Sequence, residues 1–202
     1  MKSESGRSMV EMLGVLAIIG VLSVGAIAGY SKAMMKYKLN KHAEAVNMLI
    51  NNVISIGNAL SPGNSDLTFY GTILYKLNLL PDGIKYISND WLQDMWFKGN
   101  IWVYTYTSIN LGGIGFRYDS ASGQGAEICR NVIIAAKENH TNVKKMYALN
   151  YRTGKTHGII YGDSECDDTK NKPCLRNLTL SGAESLCSTC NVSGCTMYVR
   201  WK

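Results

Sequence analysis
The chain has 202 residues, with Lys plus Arg at 21 and Asp plus Glu at 15, a net charge of +6. Hydrophobic residues make up 46% and charged residues 18%, which excludes an intrinsically disordered chain; three prolines and no low-complexity tract exclude collagen-like and linker proteins. The charge excess is thin and scattered, so no broad basic surface points to nucleic acid as a partner.

Residues 1–6 are short and polar, and residues 8–30 are apolar apart from Glu11. Met12 to Tyr30 carries no charge at all. At ~1.5 Å per residue a helix from Met9 to Tyr30 covers about 33 Å, the thickness of a bilayer core. Lys32, Lys36, Lys38 and Lys41 follow at once, placed to anchor in lipid headgroups. The pattern then changes without stopping. Met35, Leu39, His42, Val46, Leu49, Val53 and Ile56 alternate at steps of four and three, a helix period with His42 as its one polar member. The spacing predicts a single helix of about fifty residues, apolar all round in its first half and amphipathic over 31–60. It ends near Gly57, ahead of Ser61-Pro62-Gly63-Asn64.

Residues 61–202 have a soluble composition. Leu67, Tyr70, Leu74 and Leu77 are spaced for a short helix closed by Pro81-Asp82-Gly83. Residues 84–118, rich in Trp, Tyr, Ile, Thr and Val, read as antiparallel strands with turns at Lys98-Gly99-Asn100 and Gly112-Gly113. Ala126–Lys137 reads as a helix, Met146–Tyr151 and His157–Tyr161 as a hairpin, Ser181–Leu186 as a helical turn or two, and Thr196–Trp201 as a last strand. The expected class is α+β with an antiparallel sheet.

The six cysteines, Cys129, Cys166, Cys174, Cys187, Cys190 and Cys195, all lie in the last third of the chain. An even count in an exported domain reads as disulfides, and sequence does not choose among fifteen pairings. Cys187-x-x-Cys190 also has the spacing of a zinc knuckle or a redox pair. The second close pair and the His that zinc wants are missing, and so is the strand-then-helix setting of a redox pair, so no metal ligand set and no cofactor is expected. His42, His140 and His157 form no metalloprotease motif. Gly162-Asp163-Ser164-Glu165 has the lettering of a hydrolase serine block but lies in the Cys166 loop, and Gly112-Gly113-Ile114-Gly115 lacks the Lys of a phosphate-binding loop. No catalytic residue is assigned, and an enzyme is not expected.

Glu11 is the most informative residue. A carboxylate a few positions inside an apolar helix is costly in lipid unless it finds a partner. Gly6-Arg7-Ser8-Met9-Val10-Glu11, followed by Met12-Leu13-Gly14-Val15-Leu16-Ala17-Ile18-Ile19-Gly20, resembles the N-terminal signature of type IV pilins: a Gly, four residues, a Glu, then about twenty apolar residues. The resemblance implies a leader of residues 1–6, cut between Gly6 and Arg7 by a prepilin peptidase and followed by N-methylation. It implies a polymerisation and membrane helix over 7–30, and homo-oligomeric filaments that include other pilins. In such a fibre the Glu11 carboxylate accepts the positive N-terminus of a neighbour, which fixes register. The implied location is the bacterial inner membrane, with the globular domain periplasmic, and then the extracellular pilus. Arg7 departs from the Phe, Met or Leu usual at the first mature position, and stands i,i+4 to Glu11.

Gly123-Gln124-Gly125-Ala126-Glu127-Ile128-Cys129, opening a helix, with cysteines near the C-terminus, resembles type IVb, PilS-like pilins. That implies a long helix packed on a twisted sheet, the pilin αβ-roll, and a helix cysteine bonded to a late one. Our first-choice pairing is Cys129–Cys187, with Cys166–Cys174 and Cys190–Cys195 as local loops. Two alternatives stand beside the pilin. Ala26-Ile27-Ala28 before Gly29 matches a secretory cleavage site; cut there the chain is a secreted domain, and uncut it is a plain single-pass anchor, in either case an adhesin-like domain that never polymerises. A type II secretion pseudopilin shares the pilin N-terminus.

Overall fold
The computed structural model describes residues 9–57, 67–109, 111–119, 124–150, 153–188, 190 and 194–201. The chain divides into two units, residues 1–38 and 39–202. Helix α1, Met9–Gly57, supplies all that is described of the first unit and opens the second. Residues 9–33 are exposed throughout, and their apolar composition makes this stretch long and apolar enough to cross a membrane.

The second unit is α+β. After the C-terminal part of α1 come β1 (Leu67–Phe69), α2 (Gly71–Lys76), β2 (Ile84–Ser88), β3 (Trp91–Asp94), β4 (Asn100–Tyr106), β5 (Leu111–Tyr118), α3 (Gly125–Glu138), β6 (Val143–Asn150), β7 (Thr156–Tyr161), α4 (Leu180–Cys187) and β8 (Cys195–Trp201). The sheet runs β2-β3-β4-β5-β8-β6-β7, every pair antiparallel, and β1 adds to the edge of β4. The last strand therefore lies between β5 and β6 and joins the two halves of the sheet.

Period-two alternation divides the sheet residues between two faces. Ile101, Val103, Ile114, Phe116, Met146, Ala148, Met197 and Val199 are buried on one face. Leu49, Ile50 and Val53 of α1 and Ile128, Val132 and Ile133 of α3 close the same core. The four-three spacing read over Leu39–Ile56 is this packed stripe: Val46, Leu49 and Val53 are fully buried, with Leu39 and Ile56 half-covered at its ends. Asn52 Nδ2 donates to Leu79 O at 2.8 Å, fastening the helix to the segment after α2.

Two local expectations are corrected. Leu67 opens a strand, not a helix: Leu67–Phe69 pairs with Tyr104–Tyr106, and the helix begins only at Gly71. Partnership with an open strand edge outweighs a helical spacing that rests on four residues. Gly112-Gly113 is no turn either. Both glycines sit inside β5, paired to β4 and β8. A Cβ on Gly113 would lie 2.5 Å from the Tyr104 ring, and one on Gly115 2.3 Å from the Trp102 ring. The neighbouring strand's aromatic rings take the volume that side chains on β5 would fill, which is why a strand tolerates glycine there. The β2–β3 turn is made by Asn89 and Asp90, both at positive φ, the geometry a two-residue hairpin wants.

Candidate functional site
The N-terminal constellation comes first. Gly6 and Arg7 lie outside the described residues. Glu11, Met12 and Tyr30 lie in α1, all exposed, Met12 by 60% and Tyr30 by 68%. Between Met12 and Tyr30 an exposed helix surface of Leu, Ile and Val is broken only by small residues and Ser23, whose Oγ donates a hydrogen bond to Ile19 O at 2.7 Å. Ser23 therefore presents no unsatisfied donor, and Glu11 is the one carboxylate of the stretch. A helix with this surface is a candidate membrane anchor.

The cysteines form three disulfides: Cys129–Cys187 across 58 residues, Cys166–Cys174 across eight and Cys190–Cys195 across five. The first ties α3 to α4. The sulfurs of Cys129, Cys190 and Cys195 all lie within 4.8 Å of one another, and Cys187 is bonded to Cys129, so four cysteines gather at the start of β8. Oxidised in pairs, they offer no thiolate to a metal. Disulfides on this scale belong to a non-cytoplasmic domain.

The polar member of the α1 stripe has a role that spacing did not disclose. His42 is fully buried, and so is Asp94. His42 Nε2 lies 2.9 Å from Tyr118 Oη and 3.7 Å from Asp94 Oδ2, while Asn131 Nδ2 lies 3.0 Å from His42 Nδ1. Tyr118 is also hydrogen-bonded to Asp94. One proton arrangement serves all of these contacts. Asn131 donates to Nδ1, His42 donates from Nε2 to Tyr118, and Tyr118 donates to the Asp94 carboxylate. Asp94 also accepts from the backbone N–H of Trp96 at 2.8 Å and Phe97 at 3.2 Å. Burial pulls the His42 pKa down to about 3, so the imidazole is neutral and its approach to Asp94 is no ion pair. Burial raises Asp94, against the lowering effect of its three donors. The chain joins α1, the β3–β4 turn, β5 and α3 through a single connected network. His42 breaking the apolar stripe was its only trace in the sequence.

The sheet face away from the core carries aromatic and basic side chains. Trp102, Gly115, Tyr198 and Tyr147 form one cross-strand row, and Tyr104, Gly113, Arg200 and Lys145 the next. Tyr147 stacks on Tyr198 at 5.1 Å, and Trp102 meets Tyr198 edge-on at 5.7 Å. The rings surround a recess of about 190 Å³ that Phe69, Tyr104, Tyr106, Tyr147, Tyr198 and Arg200 help to line. Trp-x-Tyr-x-Tyr over 102–106 and Tyr-x-Arg over 198–200 give this face its period of two in the sequence.

His140 Nδ1 and Asp163 Oδ2 lie 2.8 Å apart, and Arg176 reaches the other oxygen of Asp163 at 3.6 Å. Among the described residues no hydrogen bond joins Ser164 to His140, so the pair ties the Cys166–Cys174 loop to the start of β6 and does not extend to a serine.

Comparison of the chain with protein-family models, with curated proteins and with solved structures finds no match.

Proposed function
We propose that the chain is a type IV pilin-like subunit, cut after Gly6 by a prepilin peptidase and assembled with its own copies and other pilins through residues 7–30. The observation that carries this reading is Glu11: a lone carboxylate in an exposed apolar stretch, five positions beyond Gly6. In lipid it costs about 3 kcal/mol or more without a partner. A new positive N-terminus from an adjacent subunit offsets that cost and sets axial register. The second unit supports the reading at a coarser level. The amphipathic part of α1 packs on an antiparallel sheet with α3, as an αβ-roll requires, and the disulfides suit a periplasmic and then extracellular domain. The subunit waits in the inner membrane and enters the pilus as a structural component without catalytic chemistry. The test is Glu11→Ala expressed as the sole copy. The variant should fold and insert normally but give at least about tenfold fewer filaments by electron microscopy; an unchanged filament yield refutes the assembly role.

A further inference from the structure
The recess on the outer sheet face has the features of a ligand site, and none of them is needed for assembly through α1. Its lining is built from the Trp102, Tyr104, Tyr147 and Tyr198 rings, of which Tyr104 and Trp102 lie over Gly113 and Gly115 of β5. Phe69 and Leu67 form an exposed rim, at 39% and 37%. Arg200 lines the recess and touches three of its tyrosines. Its Nε donates to Tyr104 Oη at 3.3 Å, and its guanidinium lies over the Tyr147 ring at 5.1 Å and the Tyr198 ring at 6.0 Å. Among the described residues no Asp or Glu pairs with Arg200. The neighbouring strand positions on this face add Lys145 and hold no carboxylate. An arginine offers five N–H donors in a fork that matches a carboxylate, more than the surrounding tyrosines take up. Burial raises the pKa of Tyr104, Tyr147 and Tyr198, so their hydroxyls keep their protons and can donate as well as accept.

Size and ring geometry choose the occupant. A volume of about 190 Å³ falls below the ~300 Å³ at which drug-sized clefts begin, so one ring enters, not a run of several. A single-stranded nucleic acid needs free ring faces for successive bases. Here Tyr147 and Tyr198 spend a face on each other, Arg200 lies over Tyr147, and Tyr104 is only 2% exposed. What remains open is a guanidinium, several phenolic hydroxyls and an apolar rim. We propose that this recess binds one acidic sugar residue of a surface polysaccharide, its carboxylate on Arg200, its hydroxyls on the tyrosine hydroxyls and its C–H face against the Phe69 and Trp102 side of the recess. The site lies in the second unit and is independent of polymerisation, so it stands or falls apart from the pilin reading.

The experiment uses the full chain in detergent micelles, followed by tryptophan fluorescence and ligand-observed NMR. The probes are glucuronic acid, glucose, inorganic phosphate and oligothymidylate. Saturable binding of glucuronic acid in the millimolar range is expected, with glucose and phosphate each at least about tenfold weaker, because each lacks half of the recognition. Arg200→Gln should weaken glucuronic acid at least about tenfold, and Tyr147→Phe a few fold, with near-ultraviolet circular dichroism unchanged. If Arg200→Gln does not fold, Tyr106→Phe and the glucuronic acid to glucose ratio carry the test. Equal binding of glucose, equal binding of phosphate, no saturable binding of glucuronic acid, or preference for oligothymidylate overturns the proposal.

Discussion

Tyr118→Phe removes one oxygen from the middle of the buried chain and leaves the ring where it is. Tyr118 is fully enclosed, so no water replaces the hydroxyl. The Asp94 carboxylate loses a donor, and a hydrogen bond to a charged group is worth about 1.5–3 kcal/mol. His42 Nε2–H is left facing the vacated position, and a buried unsatisfied donor costs about 1–3 kcal/mol. Asp94 Oδ2 at 3.7 Å is near enough for His42 to recover part of that loss by a small shift. We therefore expect Tyr118→Phe to destabilise the second unit by about 3 kcal/mol. His42→Leu makes the contrast. Tyr118 can still donate to Asp94, and Asn131 Nδ2 keeps its bond to Leu39 O at 3.0 Å, so only the second N–H of Asn131, a part-buried side chain, loses its acceptor. Its cost should stay near 1 kcal/mol, the apolar replacement matching the stripe it joins. Urea unfolding at pH 7.5, followed by near-ultraviolet circular dichroism in mild detergent, measures both. If His42→Leu costs as much as Tyr118→Phe, the directed chain is wrong and His42 itself carries the stability.

The same network sets a pH dependence. The His42 pKa is depressed to about 3 in the fold from an ordinary 6.5, so between these values the unfolded chain binds the proton and the fold does not. Its stability is fully present above about pH 6.5 and is lost as pH falls toward 3; by pH 5 the loss is roughly 2 kcal/mol. Asp94, raised in the fold, runs the other way in acid, so the comparison is wild type against His42→Leu between pH 7.5 and 5, where the variant should lose about 2 kcal/mol less; parallel losses refute the assignment. Cys129→Ser opens the 58-residue loop and should cost about 4 kcal/mol, against roughly 2–2.5 for a Ser in either short loop, as read by unfolding of each oxidised variant. Gly115→Val should displace the Trp102 ring and cost about 1–3 kcal/mol with a shift in tryptophan emission, whereas Gly154→Ala, with open space around it but positive φ, should leave the emission unchanged.

How much was legible in the sequence follows from how local each signal is. Apolar periodicity marks the helices and most strands because a buried face repeats along one element: Leu49 and Val53 were readable from α1 alone. The breaks in that legibility occur where a distant partner decides. Leu67–Phe69 becomes a strand because β4 offers an edge, and Gly112-Gly113 stays in a strand because Tyr104 and Trp201 fill the space beside it. The candidate sites divide in the same way. Glu11 announces itself by standing in an apolar run. The Asp94–Tyr118–His42–Asn131 chain and the recess around Arg200 draw on four or more elements each, so no window of sequence holds enough of either to show its chemistry.

A leader of residues 1–6 and a Glu11 that meets a new N-terminus both require the mature chain to begin at Arg7. The mass of the N-terminal peptide from the mature protein, taken from cell membranes and from sheared surface filaments, tests it most directly. A chain beginning at Arg7 with one added methyl group is expected in both fractions. A chain beginning at Gly29, or one retaining Met1 in the filament fraction, contradicts it.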